Sequence, residues 1–244
     1  MAGILHIETS TEVCSVAVSK DGFMVFERED REHHADGLGT FIDEAMDAAK
    51  EKEIELDAVA VSSGPGSYTG LRIGVSMAKG ICYGKDIKLI SIPTLQLLCV
   101  PLLLSDKVRC VKCVDGVKEN ITAEMEDDAL LCPMIDARRM EVYAAVYDRA
   151  LKEVRGTQAD IVTEETYKEL LDKNIVYFFG NGAEKCMEVI NHPNARFVLN
   201  IHPLAKNMMP LAEMRLRKGE TEDVAYFVPQ YFKDYVAKLP KKLI

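Results

Sequence analysis

The N-terminal part of the chain alternates between two hydrophobic periods. Ile4–Thr9, Val13–Ser19 and Phe23–Glu29 are short apolar-rich runs, and Asp21-Gly22 is a tight-hairpin signal, so an antiparallel meander is expected first. Then the period changes. Leu38, Phe41, Ile42, Ala45, Ala48 and Ala49 recur at helical spacing and predict a helix over about Gly37–Lys52. Val59–Ser62 reads as a buried strand, Ser63–Thr69 as a glycine-rich turn, and about Gly70–Tyr83 as a second helix. Leu89–Ile92 is a further strand, and Pro93, in a first helical turn, opens a third helix. The order β-β-β-α-β-α-β-α describes a mixed α/β half.

The pattern starts again further on. Ile4–Val18 runs strand, acid (Glu8), polar loop, Glu12-Val13, strand. Pro133–Tyr147 runs strand, acid (Asp136), polar loop with Arg138-Arg139, Glu141-Val142, strand. The match of acid and Glu-Val pair within one residue argues for an internal duplication. A helix over Glu164–Leu171, a strand over Ile175–Phe179, Gly180-Asn181-Gly182 and a helix from Ala183 continue the second half. Such an arrangement resembles the duplicated, two-lobed actin/sugar-kinase/Hsp70-like (ribonuclease H-like) α/β fold, in which a hairpin from each half faces a shared cleft. The expected division is an N-terminal lobe over 1–104, a C-terminal lobe over 105–204 with an atypical insertion at about 105–130, and residues 205–244 packing back on the first lobe.

Composition narrows the function classes. Hydrophobic residues make up 48% and charged residues 28%, an ordinary globular balance. Thirty Lys and Arg against 39 Asp and Glu give a net charge of -9, which disfavours a chain that holds tRNA by itself. The longest basic cluster, Lys238–Lys242, reads as a solvated tail. No leader precedes the first strand, and the longest apolar run, Leu95–Leu104, is too short to cross a bilayer, so a cytoplasmic, non-membrane protein is expected. Seven Cys at irregular spacing fit reduced thiols.

The richest segment for chemistry is Ser63-Gly64-Pro65-Gly66-Ser67-Tyr68-Thr69-Gly70-Leu71-Arg72-Ile73-Gly74, between a strand and a helix. A helix N-terminus offers free N–H groups to an anion, yet no Gly-Lys-Ser/Thr ends the loop and the glycine spacing is not GxGxxG. A structural turn is the simpler reading. Glu8, Thr9, Ser10, Gly64, Gly66, Ser67, Asp136, Gly180 and Gly182 remain the candidate nucleotide or phosphate loops. Gly70, Gly74 and Ala78 form a small-residue stripe flanked by Leu71 and Val75, and Leu38, Phe41, Ile42 and Ala45 form the apolar face of the first helix. Both faces fit either the chain's own core or a partner subunit. His33-His34-Ala35-Asp36 does not converge on a metal, and Cys110-Val111-Lys112-Cys113 is a single pair inside the insertion, so no metal site is assigned.

Gly64–Gly74 resembles the most recognisable motif of the TsaB family. Ile135–Tyr143 resembles its second signature, Ile7-Glu8-Thr9-Ser10 its opening (more often Asp at the Glu8 position), and Val228-Pro229-Gln230-Tyr231 its C-terminal Pro-x-Tyr pattern. The resemblance covers about residues 3–98 and 131–235. It implies a non-catalytic scaffold and activator, required with TsaD and the ATPase TsaE for threonylcarbamoylation of the adenosine beside the tRNA anticodon. It also implies a homodimer when alone, a heterodimer with TsaD through the first two helices, and contact with tRNA only through the complex. This chain then needs no cofactor and has no activity alone, while ATP or ADP and a metal reside on partner subunits. The alternative is an autonomous ATPase or kinase of the same fold, with Glu8 or Asp136 positioning magnesium. The lack of glycine in Glu8-Thr9-Ser10-Thr11 counts against it.

Overall fold

The computed structural model describes residues 2–31, 37–114 and 117–233. The His33-His34-Ala35-Asp36 run and the Lys238–Lys242 cluster lie outside the described residues. Strands β1 (Gly3–Glu8), β2 (Cys14–Lys20), β3 (Phe23–Asp30), β4 (Ala58–Gly64) and β5 (Lys88–Pro93) build a first sheet in the order β3-β2-β1-β4-β5. Helices α1 (Leu38–Glu51), α2 (Tyr68–Lys85) and α3 (Thr94–Leu103) are interleaved with them. Strands β6 (Val108–Val114) and β7 (Val117–Ala123) form an antiparallel hairpin within the 105–130 stretch. Then follow β8 (Leu130–Asp136), β9 (Glu141–Tyr147), β10 (Glu153–Ile161), the one-turn helix α4 (Lys168–Leu171), β11 (Val176–Phe179), the one-turn helix α5 (Ala183–Cys186) and β12 (Ala195–Val198). Their order is β10-β9-β8-β11-β12, extended at one edge by β6-β7. Both sheets thus share one strand order and one parallel-antiparallel pattern, which is the duplication read from the sequence.

Every residue of β1 is buried, because both faces of the sheet are covered. Leu5 and Ile7 point to α1 and α2, while Ile4 packs with α3 and with α6 (Met209–Lys218). The helix α3 is apolar on all sides and is wedged between the lobes. Its Leu97 and Val100 belong to the first core, and Leu95, Leu98, Cys99 and Leu102 to the second. Reciprocally, α6 follows the second lobe but covers the first sheet through Leu211 and Ala212. Six cysteines are free and buried. Among the described residues no helix is long and apolar enough to cross a membrane.

Three local expectations are corrected. The helix expected over Glu164–Leu171 is a single turn from Lys168, since Thr166 Oγ accepts from Thr163 N at 2.8 Å and holds the preceding residues in a tight turn. The helix from Ala183 stops at Cys186, where i→i+3 bonds (Met187 N to Glu184 O, Val189 N to Cys186 O) replace α-helical ones. Pro93 is extended (φ -60, ψ 126) and caps α3 rather than entering its first turn.

The second lobe holds one buried ionic cluster. Asp160 accepts from Arg155 Nη2 at 2.5 Å and from the Tyr167 hydroxyl at 2.6 Å, and the guanidinium lies over the Tyr167 ring. Asp160→Ala leaves a desolvated cation and a buried hydroxyl without their acceptor. It should lower the unfolding free energy by about 3 kcal/mol in urea denaturation. An unchanged midpoint would show that the cluster contributes nothing net.

Candidate functional site

The two turns that face each other between the lobes are the β1–β2 and β8–β9 hairpins. Each acid at a strand end makes the same local bond. Glu8 Oε1 accepts from Ser10 N at 2.5 Å, and Asp136 Oδ1 accepts from Arg138 N at 3.0 Å. Their surroundings differ. Glu8 is fully buried beside Ser62, and its Oε2 has no hydrogen-bond partner among the described residues. Burial pushes its pKa up from 4.5 to about 7, against the hydrogen bonds that favour the anion. Asp136 is half-exposed and paired with Lys185, whose ammonium also donates to Arg139 O at 2.6 Å and Glu141 O at 2.8 Å.

The glycine-rich turn is used for close internal packing. Ser67 N donates to Ser10 O at 2.6 Å, and Ser67 Oγ caps α2 by accepting from Gly70 N at 3.2 Å. Two of the amides a phosphate would use at this helix N-terminus are therefore already satisfied. A Cβ on Gly66 would overlap Ser10 O, one on Gly70 would overlap Thr9 O, and one on Gly74 would overlap Thr9 Oγ1. Gly64 adopts φ +106, and a Cβ there would stand 2.7 Å from Gln230 O. In the second lobe, substituents on Gly180 and Gly182 would strike Met134 O and the Ile135–Asp136 backbone. The loops proposed from sequence as phosphate cradles thus hold their own hairpins. This is a correction for Gly64, Gly66, Ser67, Gly180 and Gly182, and Thr9 and Ser10 are their packing partners.

The C-terminal segment lies across the cleft between these turns. Pro229 is buried and Gln230 N donates to Ser63 O at 2.8 Å. The Tyr231 ring stands 4.9 Å from Tyr68, Phe232 lies 6.2 Å from Tyr143, and Lys233 pairs with Glu141. A second tie joins the lobes: Asn181 Nδ2 donates to Glu12 Oε2 at 2.9 Å while its Oδ1 accepts from Asp136 N at 3.0 Å. Sequence reasoning named Glu12 and Asn181 only as members of repeated motifs, and did not find Lys185 or Lys233; only the Val228–Tyr231 motif pointed to the segment. No group of three or more His, Cys, Asp or Glu among the described residues is placed to hold a metal.

The nine residues expected at a partner interface need a second correction. Leu38, Phe41, Ile42, Ala45, Gly70, Leu71, Gly74, Val75 and Ala78 are all buried against the chain's own first sheet and hairpin. Their small size admits the Thr9 turn, an intramolecular neighbour. The outward face of α2 carries Ile73, Ser76, Met77, Gly80, Tyr83 and Gly84, with Tyr83 85% exposed. A Cβ on Gly80 or Gly84 would meet nothing within 4 Å.

Duplicated lobes of this strand order, with a hairpin from each facing one cleft, define the actin/sugar-kinase/Hsp70-like class of fold. Over residues 25–129 the chain matches the family model of TsaD, the tRNA N6-adenosine threonylcarbamoyltransferase. It is 28% identical to the tRNA threonylcarbamoyladenosine biosynthesis protein TsaB of Escherichia coli (strain K12), across 98% of this chain and 99% of the relative. It is 34% identical to a tRNA N6-adenosine threonylcarbamoyltransferase of Staphylococcus epidermidis across 36% of this chain and 32% of that protein. The solved structure of YeaZ from Pseudomonas aeruginosa shares the fold, with a TM-score of 0.70 at 20% identity over 95% of this chain and 100% of that one. Along nearly its whole length the chain is thus similar to TsaB proteins of tRNA threonylcarbamoyladenosine biosynthesis.

The buried pair of ionisable residues on β1 gives opposite pH slopes. Desolvation lowers His6 to about 3, so its contribution to stability is complete above 6.5 and is lost as the pH falls toward 3. Glu8 keeps a proton that the unfolded chain releases, so its contribution is complete below 4.5 and is lost as the pH rises to about 7. Glu8→Gln removes the second slope. Relative to pH 4.5, its unfolding free energy at pH 8 should exceed the parent's by up to about 3 kcal/mol. A parent and variant with parallel pH profiles in urea would show that Glu8 is ionised in the folded protein.

Proposed function

We propose that this chain is a non-catalytic scaffold and activator, acting with TsaD and TsaE in threonylcarbamoylation of the adenosine beside the tRNA anticodon. The observation that carries the reading is that the chain's own groups engage the hairpin turns of both lobes. The chain's own Pro229–Lys233 segment lies between the lobes, Glu8 is sealed in the core and Asp136 is held by Lys185. A nucleotide would have to displace all of these, so the chemistry is assigned to the partner. The role for which the Escherichia coli relative is named, biosynthesis of threonylcarbamoyladenosine in tRNA, supports the pathway. The match of residues 25–129 to the TsaD model supports a partner of like fold.

The partner surface is the outward face of α2. Glycine inside a helix costs about 1 kcal/mol relative to alanine. Gly80 and Gly84 incur that cost with open space around them, which suits close approach of a helix from TsaD, or from a second copy when the chain is alone. With a net charge of -9, most of the phosphate-binding surface for tRNA falls to the partners, as do ATP and any metal.

Light scattering of the purified chain with its cognate TsaD, followed by a tRNA modification assay with TsaE, tests the reading. Modification is expected only with all three proteins. ATP turnover by this chain alone, without complex formation, would replace the proposal with the kinase-like alternative. Two variants separate the faces of α2. Gly80→Arg should leave a folded monomer that fails to bind TsaD, whereas Gly74→Arg should unfold the first lobe because of Thr9. An intact heterodimer from Gly80→Arg would sink the interface assignment.

A further inference from the structure

A groove of about 510 Å³ opens where α3, the β9–β10 turn and α6 meet, away from the cleft and from the outward face of α2. Its apolar walls include Val100, Leu103, Leu104, Leu151 and Met214, and Leu104 is 71% exposed. The polar lining is mainly cationic: Lys152, Arg215 and Lys218 against the single carboxylate of Glu220. On a chain of net charge -9 this is a local reversal of sign.

Arg215 is the informative member. It is half-buried; among the described residues its Nε has no hydrogen-bond partner, and its Nη2 reaches the neutral Gln96 Oε1 at 3.4 Å. No carboxylate among the described residues stands within ion-pair distance of it. A guanidinium partly withdrawn from water without an anion is costly. Cations in the last turn of a helix offset its dipole, which applies to Arg215, Arg217 and Lys218, and Lys218 Nζ also stands 4.0 Å from Glu220 Oε1. The dipole does not account for Lys152, which comes from the β9–β10 turn and also has no carboxylate partner among the described residues.

We infer that this groove binds a small amphiphilic carboxylate, the acid group on Arg215 with Lys152 and Lys218, and the hydrocarbon body along Val100, Leu103 and Met214. The size suits a small ligand rather than a flat protein contact, and apolar walls beside an unpaired guanidinium match that two-part chemistry. The inference does not rest on the reading of the chain as a complex subunit.

Decanoate is the probe, titrated by calorimetry into the full chain below its micellar range, with 1-decanol as the uncharged counterpart. Saturable one-to-one binding of decanoate is expected, with decanol at least tenfold weaker. Arg215→Met, which keeps the aliphatic bulk, should lose at least tenfold in affinity. Lys152→Glu, on an exposed turn, should weaken binding several-fold and serves if Arg215→Met does not fold. Thermal melts with and without decanoate check that each variant folds and that only the parent gains a higher Tm. Equal affinity for decanol, undiminished binding by a folded variant, or no saturation would each overturn the proposal.

Discussion

Much of the first lobe depends on one close approach, that of the turn after β1 to the N-terminal half of α2. Thr9 Oγ1 donates to Gly70 O at 2.8 Å, and Ser10 O accepts from Ser67 N at 2.6 Å. The contact is possible because Gly66, Gly70 and Gly74 present no Cβ to the turn. Once the turn lies on the helix, Glu8 at the end of β1 is directed inward, and the amides at the head of α2 are engaged by protein rather than left for an anion. The end of β4, which leads into the same helix head, offers Ser63 and Gly64 to the C-terminal segment, which carries the contact on to the second lobe. One short-range constraint thus fixes the acid, the helix head and the route of the strap.

The lobes are coupled by exchange as well as by contact. The shared helix α3 contributes to both cores, and α6, which follows the second lobe in the chain, covers the first sheet. Neither sheet can bury its inner face without an element contributed by the other half or by the connection between them. Residues past α6 continue the tie: Glu222 bridges to Leu89 and accepts from Ser91 Oγ at 2.5 Å, and Lys79 donates to Ala225 O and Phe227 O. The strap at 229–233 is therefore the end of a long, anchored return path and starts from a defined position.

What the sequence revealed was what local periodicity encodes. The meander, α1, α2 and the paired hairpin acids follow from alternation, turn residues and self-similarity. The short helices of the second lobe were overestimated because Thr166 and the Cys186 turn favour tight i→i+3 closure over propagation. The direction of the α2 stripe was misjudged for a different reason. Small residues four apart say that something comes close, not what; here the neighbour is Thr9, 61 positions before Gly70. Pairings such as Lys185 with Asp136 and Lys233 with Glu141 leave no periodic trace, since each joins residues far apart in the chain.

The two hairpin acids illustrate how one inherited position can be satisfied in two ways. Both accept the amide two residues on, so the backbone geometry of the duplicated unit is retained. Glu8 has been withdrawn from water, which favours its protonated form. Asp136 stays at the surface, where one lysine compensates the carboxylate and also serves two backbone carbonyls. Asp136 is thus already compensated, and Glu8 is closed off from solvent although its Oε2 is left without a partner among the described residues. A magnesium ion or phosphate would have to displace the ammonium, the Asn181 bridge and the aromatic strap before making its first favourable contact. Binding there would begin with the loss of several satisfied interactions, whereas the outward face of α2 and the groove beside Arg215 present groups that the fold leaves unspent. The physical case for partner and ligand contact therefore lies outside the cleft.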